Sequence, residues 1–98
     1  MFVAKVVGNV WATRKHPDLK GGKLLLVKPV QPSDGSYAGA TTLALDGGVG
    51  AGVGDMVLVL DEGGSARKII KNDNAPVRTL ICGVVDSVSL GGKEKKYA

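Results

Sequence analysis

Five stretches of the chain carry the apolar and polar spacing of β-strands, and polar or glycine-rich connections separate them. From Val3 to Arg14 the residues alternate. Ala4, Val6, Gly8, Val10 and Ala12 share one face, and Lys5, Val7, Asn9, Trp11 and Thr13 share the other. The first face is small and apolar, which suits the inside of a narrow barrel, and Gly8 marks a bulge or a close approach. Leu24-Leu25-Leu26-Val27 is a second strand, bracketed by lysines and stopped by Pro29 and Pro32. Ser33-Asp34-Gly35-Ser36 reads as a turn with a hairpin-type Asp-Gly pair, and Thr41–Leu45 as the returning strand.

The fourth and fifth strands, Met56–Leu60 and Val77–Val88, are apolar with little alternation, as is Leu24–Val27. A strand with one wet face alternates, so continuous apolar runs imply cover on both faces. A single short helix is expected around Ser65–Ile70, with Ser65 as its N-cap. One such helix cannot cover the outside of three strands, whereas another subunit can. The pattern predicts an all-β fold: a small, five-stranded, OB-like barrel with one short helix over residues 1–90, and a solvated tail over 91–98. A permanent oligomer is expected of it.

Between the third and fourth strands lies Asp46-Gly47-Gly48-Val49-Gly50-Ala51-Gly52-Val53-Gly54-Asp55. Ordering so many glycines costs more entropy than ordering other residues, so the loop calls for a function or a tight packing partner. A phosphate-binding loop needs a Lys and a hydroxyl after its last glycine, where this chain has Asp55 and an apolar run. No window fits the dinucleotide spacing ahead of a helix either. The loop is read as a tight crossover of backbone on backbone, with a neighbouring subunit as one source of that second backbone. Asp46 and Asp55 flank it as turn-closing residues rather than a catalytic pair.

Composition narrows the function by exclusion. Ninety-eight residues make one domain with a small core, of modest stability unless subunits associate. The single Cys82, set among apolar neighbours, supports no disulfide framework and fits a reducing, cytoplasmic setting. With only His16 beside it as a soft ligand or base, neither a metal site nor a nucleophilic triad can be assembled, and no cofactor is expected. The opening residues lack a signal peptide's pattern, and no run is long enough for a membrane span. The net charge of +4 is mild, and only Phe2, Trp11, Tyr37 and Tyr97 offer aromatic rings, a poor set for stacking nucleic-acid bases.

Four segments, in order, resemble the EutN/CcmL family of pentameric vertex proteins of bacterial microcompartments and carboxysomes. Val6-Val7-Gly8-Asn9-Val10-Trp11-Ala12-Thr13-Arg14-Lys15 is similar to the family's first strand with its Thr-x-Lys ending. Leu19–Val27 resembles its Leu-x-Gly-x-Lys-Leu-Leu-x-Val block, and Val49–Val59 its Val-Gly-Ala-Gly-x-Gly-Asp-x-Val-Leu-Val signature. Ser65-Ala66-Arg67 and Gly83-Val84-Val85-Asp86 stand where the family has Ser-Ala-Arg and Gly-Ile-Val-Asp. The chain departs from the usual pattern in the extra glycine of Asp46-Gly47-Gly48 and in Arg78, where an acidic residue is common.

The resemblance implies an OB-like barrel forming homopentamers that cap the vertices of a polyhedral shell, beside hexameric shell proteins, without enzymatic activity. Subunit contacts are then expected from the glycine loop at Gly50, Ala51, Gly52 and Gly54, and from Trp11, Lys15, Arg67 and Arg78. Trp11 is read either as such an anchor or as half-covered by a loop of its own chain. Arg67 is read either as binding a carboxylate or carbonyl across the boundary or as capping its own turn. Two other functions compete: an OB-type binder of single-stranded nucleic acid, favoured by fold and charge, and a small-metabolite regulator, resting on the glycine loop alone.

Overall fold

The computed structural model describes residues 1–11, 23–61, 69 and 78–97. Strands β1 (Phe2–Val10), β2 (Leu24–Pro29), β3 (Thr42–Asp46), β4 (Met56–Asp61) and β5 (Thr79–Val84) close into a barrel in the order β1-β2-β3-β5-β4. All neighbours are antiparallel except β3 and β5, which run parallel through Leu45↔Leu80 and Asp46↔Ile81. This five-stranded closed sheet is the expected OB-like architecture. Of the helix expected around Ser65–Ile70, only Ile69 falls among the described residues, and its backbone is helical.

The core follows from the alternation. Ala4 and Val6 of β1, Leu25 and Val27 of β2, Ala44 of β3, Val57 and Val59 of β4 and Ile81 of β5 are buried together, with Phe2 packed against them. The small residues Ala4 and Ala44 let a barrel of this size close without overpacking. β1 is bulged between Val6 and Gly8, where Val7 is the additional residue. Gly8 is also a close approach, since a Cβ there would stand 3.3 Å from Leu26 Cδ1. Because one extra residue inverts the facing of everything after it, Asn9 opposes inward Leu25, and Val10 opposes Leu24 and is exposed. The expected placing of Val10 on the face of Ala4 and Val6 is therefore corrected: the bulge intervenes.

A second bulge lies in β5, where Leu58↔Gly83 is followed by Val59↔Ile81 and leaves Cys82 unopposed. Its thiol donates weakly to the Leu58 carbonyl oxygen at 3.5 Å. The run read as one strand through Val88 is two. Val85 N–H donates to Met56 O as pairing with β4 ends, and β6 (Ser87–Leu90) then pairs with β7 (Lys93–Lys96) in a separate hairpin. Gly91 and Gly92 turn it with φ of 58° and 79°, the left-handed pair that a tight two-residue turn demands. The segment read as a solvated tail is thus paired backbone, while every residue of β7 stays exposed.

Outside the barrel, apolar side chains stand in register. Gly8, Leu26 and Leu43 form one outward row across β1, β2 and β3, and Val3 and Leu58 pair outward across β1 and β4. Leu43 is 45% exposed, while Leu26, Val3 and Leu58 are half-buried.

Candidate functional site

The glycine loop, 46–55, joins β3 to β4 and is held at both ends by carboxylates. Asp46 Oδ1 accepts the N–H groups of Gly48 and Val49, each at 2.9 Å, and Asp46 Oδ2 accepts that of Ala51 at 3.1 Å. At the far end Asp55 Oδ2 accepts Gly52 N–H at 2.9 Å. Gly48, Gly50 and Gly54 adopt φ of 97°, 76° and 96°, where a Cβ is strained, so the local path requires them. Successive N–H groups of such a turn form a concavity for an anion. Here the anion is the chain's own Asp46 side chain.

The loop's remaining bonds stitch it to the barrel. Gly47 N–H donates to Ile81 O at 2.9 Å, which continues the parallel β3–β5 pairing. Gly54 N–H donates to Val6 O at 2.9 Å, and Val6 N–H returns to Asp55 O. The tight backbone partner expected for the loop is therefore, at these two points, β5 and β1 of the same chain. Among the described residues, only Gly50 and Val53 of the loop's glycines and apolar residues keep N–H groups without a partner. A phosphate finds no cradle here, and the metabolite-regulator reading loses its one support.

The structure separates the candidate contact residues. Ala51 is fully buried in the core of its own barrel and presents no surface, although its backbone belongs to the loop. Gly50 and Gly54 lie on the exposed side of the loop, next to Val49 and Val53, the latter 61% exposed. Trp11 stands just beyond β1 and is 93% exposed, so no described part of its own chain covers it. Arg78 leads into β5, its Nε 3.5 Å from Asp61 Oδ1, the same oxygen that accepts the Thr79 hydroxyl at 3.1 Å. Lys15 and Arg67 lie outside the described residues. Among the described residues, no hydrogen bond or ion pair links the loop, Trp11 and Arg78 to one another.

One group of interacting residues had no place in the sequence reading: the root of the β6–β7 hairpin. Tyr97 N–H donates to Asp86 O, and the Lys95 ammonium donates to Asp34 O in the turn after β2. In that turn Asp34 Oδ1 accepts both the hydroxyl and the N–H of Ser36, at 2.6 and 2.9 Å. The side-chain bond from Ser36, then its backbone N–H, and further Lys95, hold the Asp34 carboxyl below its usual range. Gly91-Gly92 between two short polar segments was the available signal for the hairpin.

The nucleic-acid reading also meets the geometry. An OB barrel that binds single strands does so over its second and third strands, with aromatic rings to stack on. Here β2 is Leu-Leu-Leu-Val-Lys-Pro and β3 is Thr-Leu-Ala-Leu-Asp, without one aromatic residue.

Comparison with known proteins agrees with this architecture. Residues 1–86 match the family model described as ethanolamine utilisation protein EutN/carboxysome. The shell vertex protein PduN of Salmonella typhimurium is 42% identical over 93 residues, spanning 91% of this chain and 99% of that one. The carboxysome protein CcmL of Nostoc superposes with a TM-score of 0.85 at 33% identity, covering 96% of both chains. The pentameric microcompartment shell protein GrpN of Rhodospirillum rubrum superposes with a TM-score of 0.80 at 34% identity, covering 92% of this chain and 99% of that one. A match over almost the whole barrel, on top of the glycine loop and strand order, settles kinship: the chain belongs to the EutN/CcmL family.

Proposed function

We propose that this protein is a structural component of a bacterial microcompartment shell and assembles as a homopentamer that caps the shell's vertices. Relatives that bear the names of shell vertex proteins, and one described as pentameric, support the reading over nearly the full chain. The observation that carries it within this molecule is the outward apolar register of Leu26 with Leu43 and of Val3 with Leu58. A barrel closed on itself has no edge left to pair, so further burial has to come from its outer faces. Flat sheets of hexameric shell proteins, the expected neighbours, enclose a volume only if points of lower symmetry interrupt them. A fivefold unit supplies such a point.

The protein acts by shape, as a non-enzyme. Around the barrel, Trp11, the exposed side of the loop at Gly50 and Gly54 with half-buried Gly52 between them, and Arg78 are the described candidates for contact with neighbouring copies. Lys15 and Arg67 join them through the family resemblance. Native mass spectrometry at micromolar concentration tests the proposal. A closed pentamer is the expected result, and a well-folded monomer under those conditions overturns it.

A further inference from the structure

The turn over 31–37 and the end of β7 face β1 and β4 across an open groove of about 470 Å³, within the size range of small-ligand sites. Its wall includes Lys5, Tyr37, Met56, Lys95 and Tyr97, and no carboxylate side chain belongs to it. Lys5 stands directly opposite Lys28 in the β1–β2 ladder, a like-charge pairing that disfavours the sheet unless something offsets it. The Lys28 ammonium leans over the ring of Tyr37, 4.6 Å from its centroid. Among the described residues, the lysines of this wall form no ion pair within 4.0 Å.

Just behind the groove wall, on the lining residue Tyr97, lies a hydroxyl with nothing to bond. Tyr97 Oη is buried and has no hydrogen-bond partner, a rare condition for an enclosed polar atom. It lies 2.7 Å from the point where a Cβ on Gly35 would stand, and Lys95 Nζ lies 2.9 Å from that point. Glycine at position 35, already required by its φ of 76°, thus lets a hydroxyl donor and an ammonium group share one spot. Lys95 already donates to Asp34 O and feels the Asp34 carboxylate, but an ammonium keeps further N–H donors, and with Lys5 on the same wall and an unused O–H beside it the set matches an oxyanion.

We propose that this groove binds the oxyanion of a small free solute, a carboxylate or a phosphate, with Lys5, Lys95 and the Tyr97 hydroxyl as donors. The groove is open on one side, so binding is weak and exchange fast. The inference is independent of the shell assignment. It is tested on the full chain by amide NMR titration at constant ionic strength, with inorganic phosphate, acetate and chloride in parallel, following Ser36, Gly54 and Tyr97. The expected result is a saturable shift with phosphate or acetate at a midpoint on the order of 1 mM. The anion that saturates at lower concentration identifies the source. Tyr97→Phe removes only the unpartnered oxygen and leaves the thermal midpoint of the unliganded protein unchanged or raised, yet weakens binding roughly tenfold. Lys5→Gln, on an exposed position, weakens it comparably. Shifts that never saturate, that chloride reproduces, or that persist undiminished in either variant overturn the proposal. Native mass on the same sample reports the pentamer separately, so failure of one reading does not mimic failure of the other.

Discussion

The carbonyl oxygen of Ile81 accepts the N–H of Gly47 at 2.9 Å and would stand only 2.7 Å from a Cβ at that position. The same hydrogen bond that closes β3 onto β5 therefore forbids any side chain on its donor. Leu80 adds to the crowding, with Cδ2 3.2 Å from the same point. Gly47→Ala is expected to cost about 2–3 kcal/mol, because backbone rather than a flexible side chain has to move. Gly52→Ala, whose Cβ would meet only Asp55 Oδ2 at 4.0 Å, is expected to cost well under half as much. Urea denaturation of the two variants gives the comparison, and equal costs refute the steric reading.

Asp46 sets the shape of the glycine loop by accepting three N–H groups on one carboxylate. Asp46→Ala leaves them to water or to nothing and is expected to destabilise by about 2 kcal/mol. Asp46→Asn keeps the Oδ1 acceptor for Gly48 and Val49 but turns an amide donor toward Ala51 N–H, so an intermediate loss is expected. Amide exchange at 48–51 should accelerate in the same order; protection unchanged in Asp46→Ala would remove the carboxylate from its assigned role.

Acid should loosen the turn at Asp34 as pH falls through the carboxyl's depressed folded midpoint. Its carboxyl is held below the ordinary aspartate range by the Ser36 hydroxyl first, and the folded protein therefore binds this proton less readily than the unfolded chain. A carboxylate lowered in this way contributes stability that is complete above the unfolded value and is lost as pH falls through the folded one. The group is exposed, so the effect is local and screened by salt. An NMR pH titration of Asp34 should place its midpoint below 3.8, and Ser36→Ala should move that midpoint upward. A midpoint unmoved by the substitution would contradict the assigned cause.

Leu43 can be changed with little effect on a single barrel, since it is 45% exposed and faces outward opposite Leu26. If that row is covered by a neighbouring copy, Leu43→Ser removes apolar contact on assembly and weakens each contact by about 1 kcal/mol, roughly a fivefold change in its equilibrium constant. The expected outcome is a lower pentamer fraction on dilution, with far-UV circular dichroism unchanged. Undiminished assembly would place the interface elsewhere on the barrel.

How much of this was legible beforehand depends on whether the governing contact is local. The inward face of Ala4 and Val6 and the apolar runs of β2 and β4 are written in short-range spacing, and the barrel followed from them. Gly8 is readable as a bulge, but the inverted facing of Val10 is not, since alternation by itself contains no skipped residue. The parallel contact between β3 and β5 joins residues far apart in sequence, and only the closed sheet shows that Gly47 has to be glycine. β7 reads Lys-Glu-Lys-Lys, exposed on both faces, so it lacks the apolar alternation that marks a strand. Of the candidate contacts, the loop was recognised as costly, but its carboxylate-bound path and the burial of Ala51 needed the third dimension.

A turn that supplies its own negative charge has nothing to gain from solutes around it. With the Asp46 carboxylate occupying the concavity of the Gly48, Val49 and Ala51 N–H groups, this end of the crossover keeps one outline without a solute anion. For a part whose task is to fill a corner, a path over 46–51 fixed by its own charge is a property worth building.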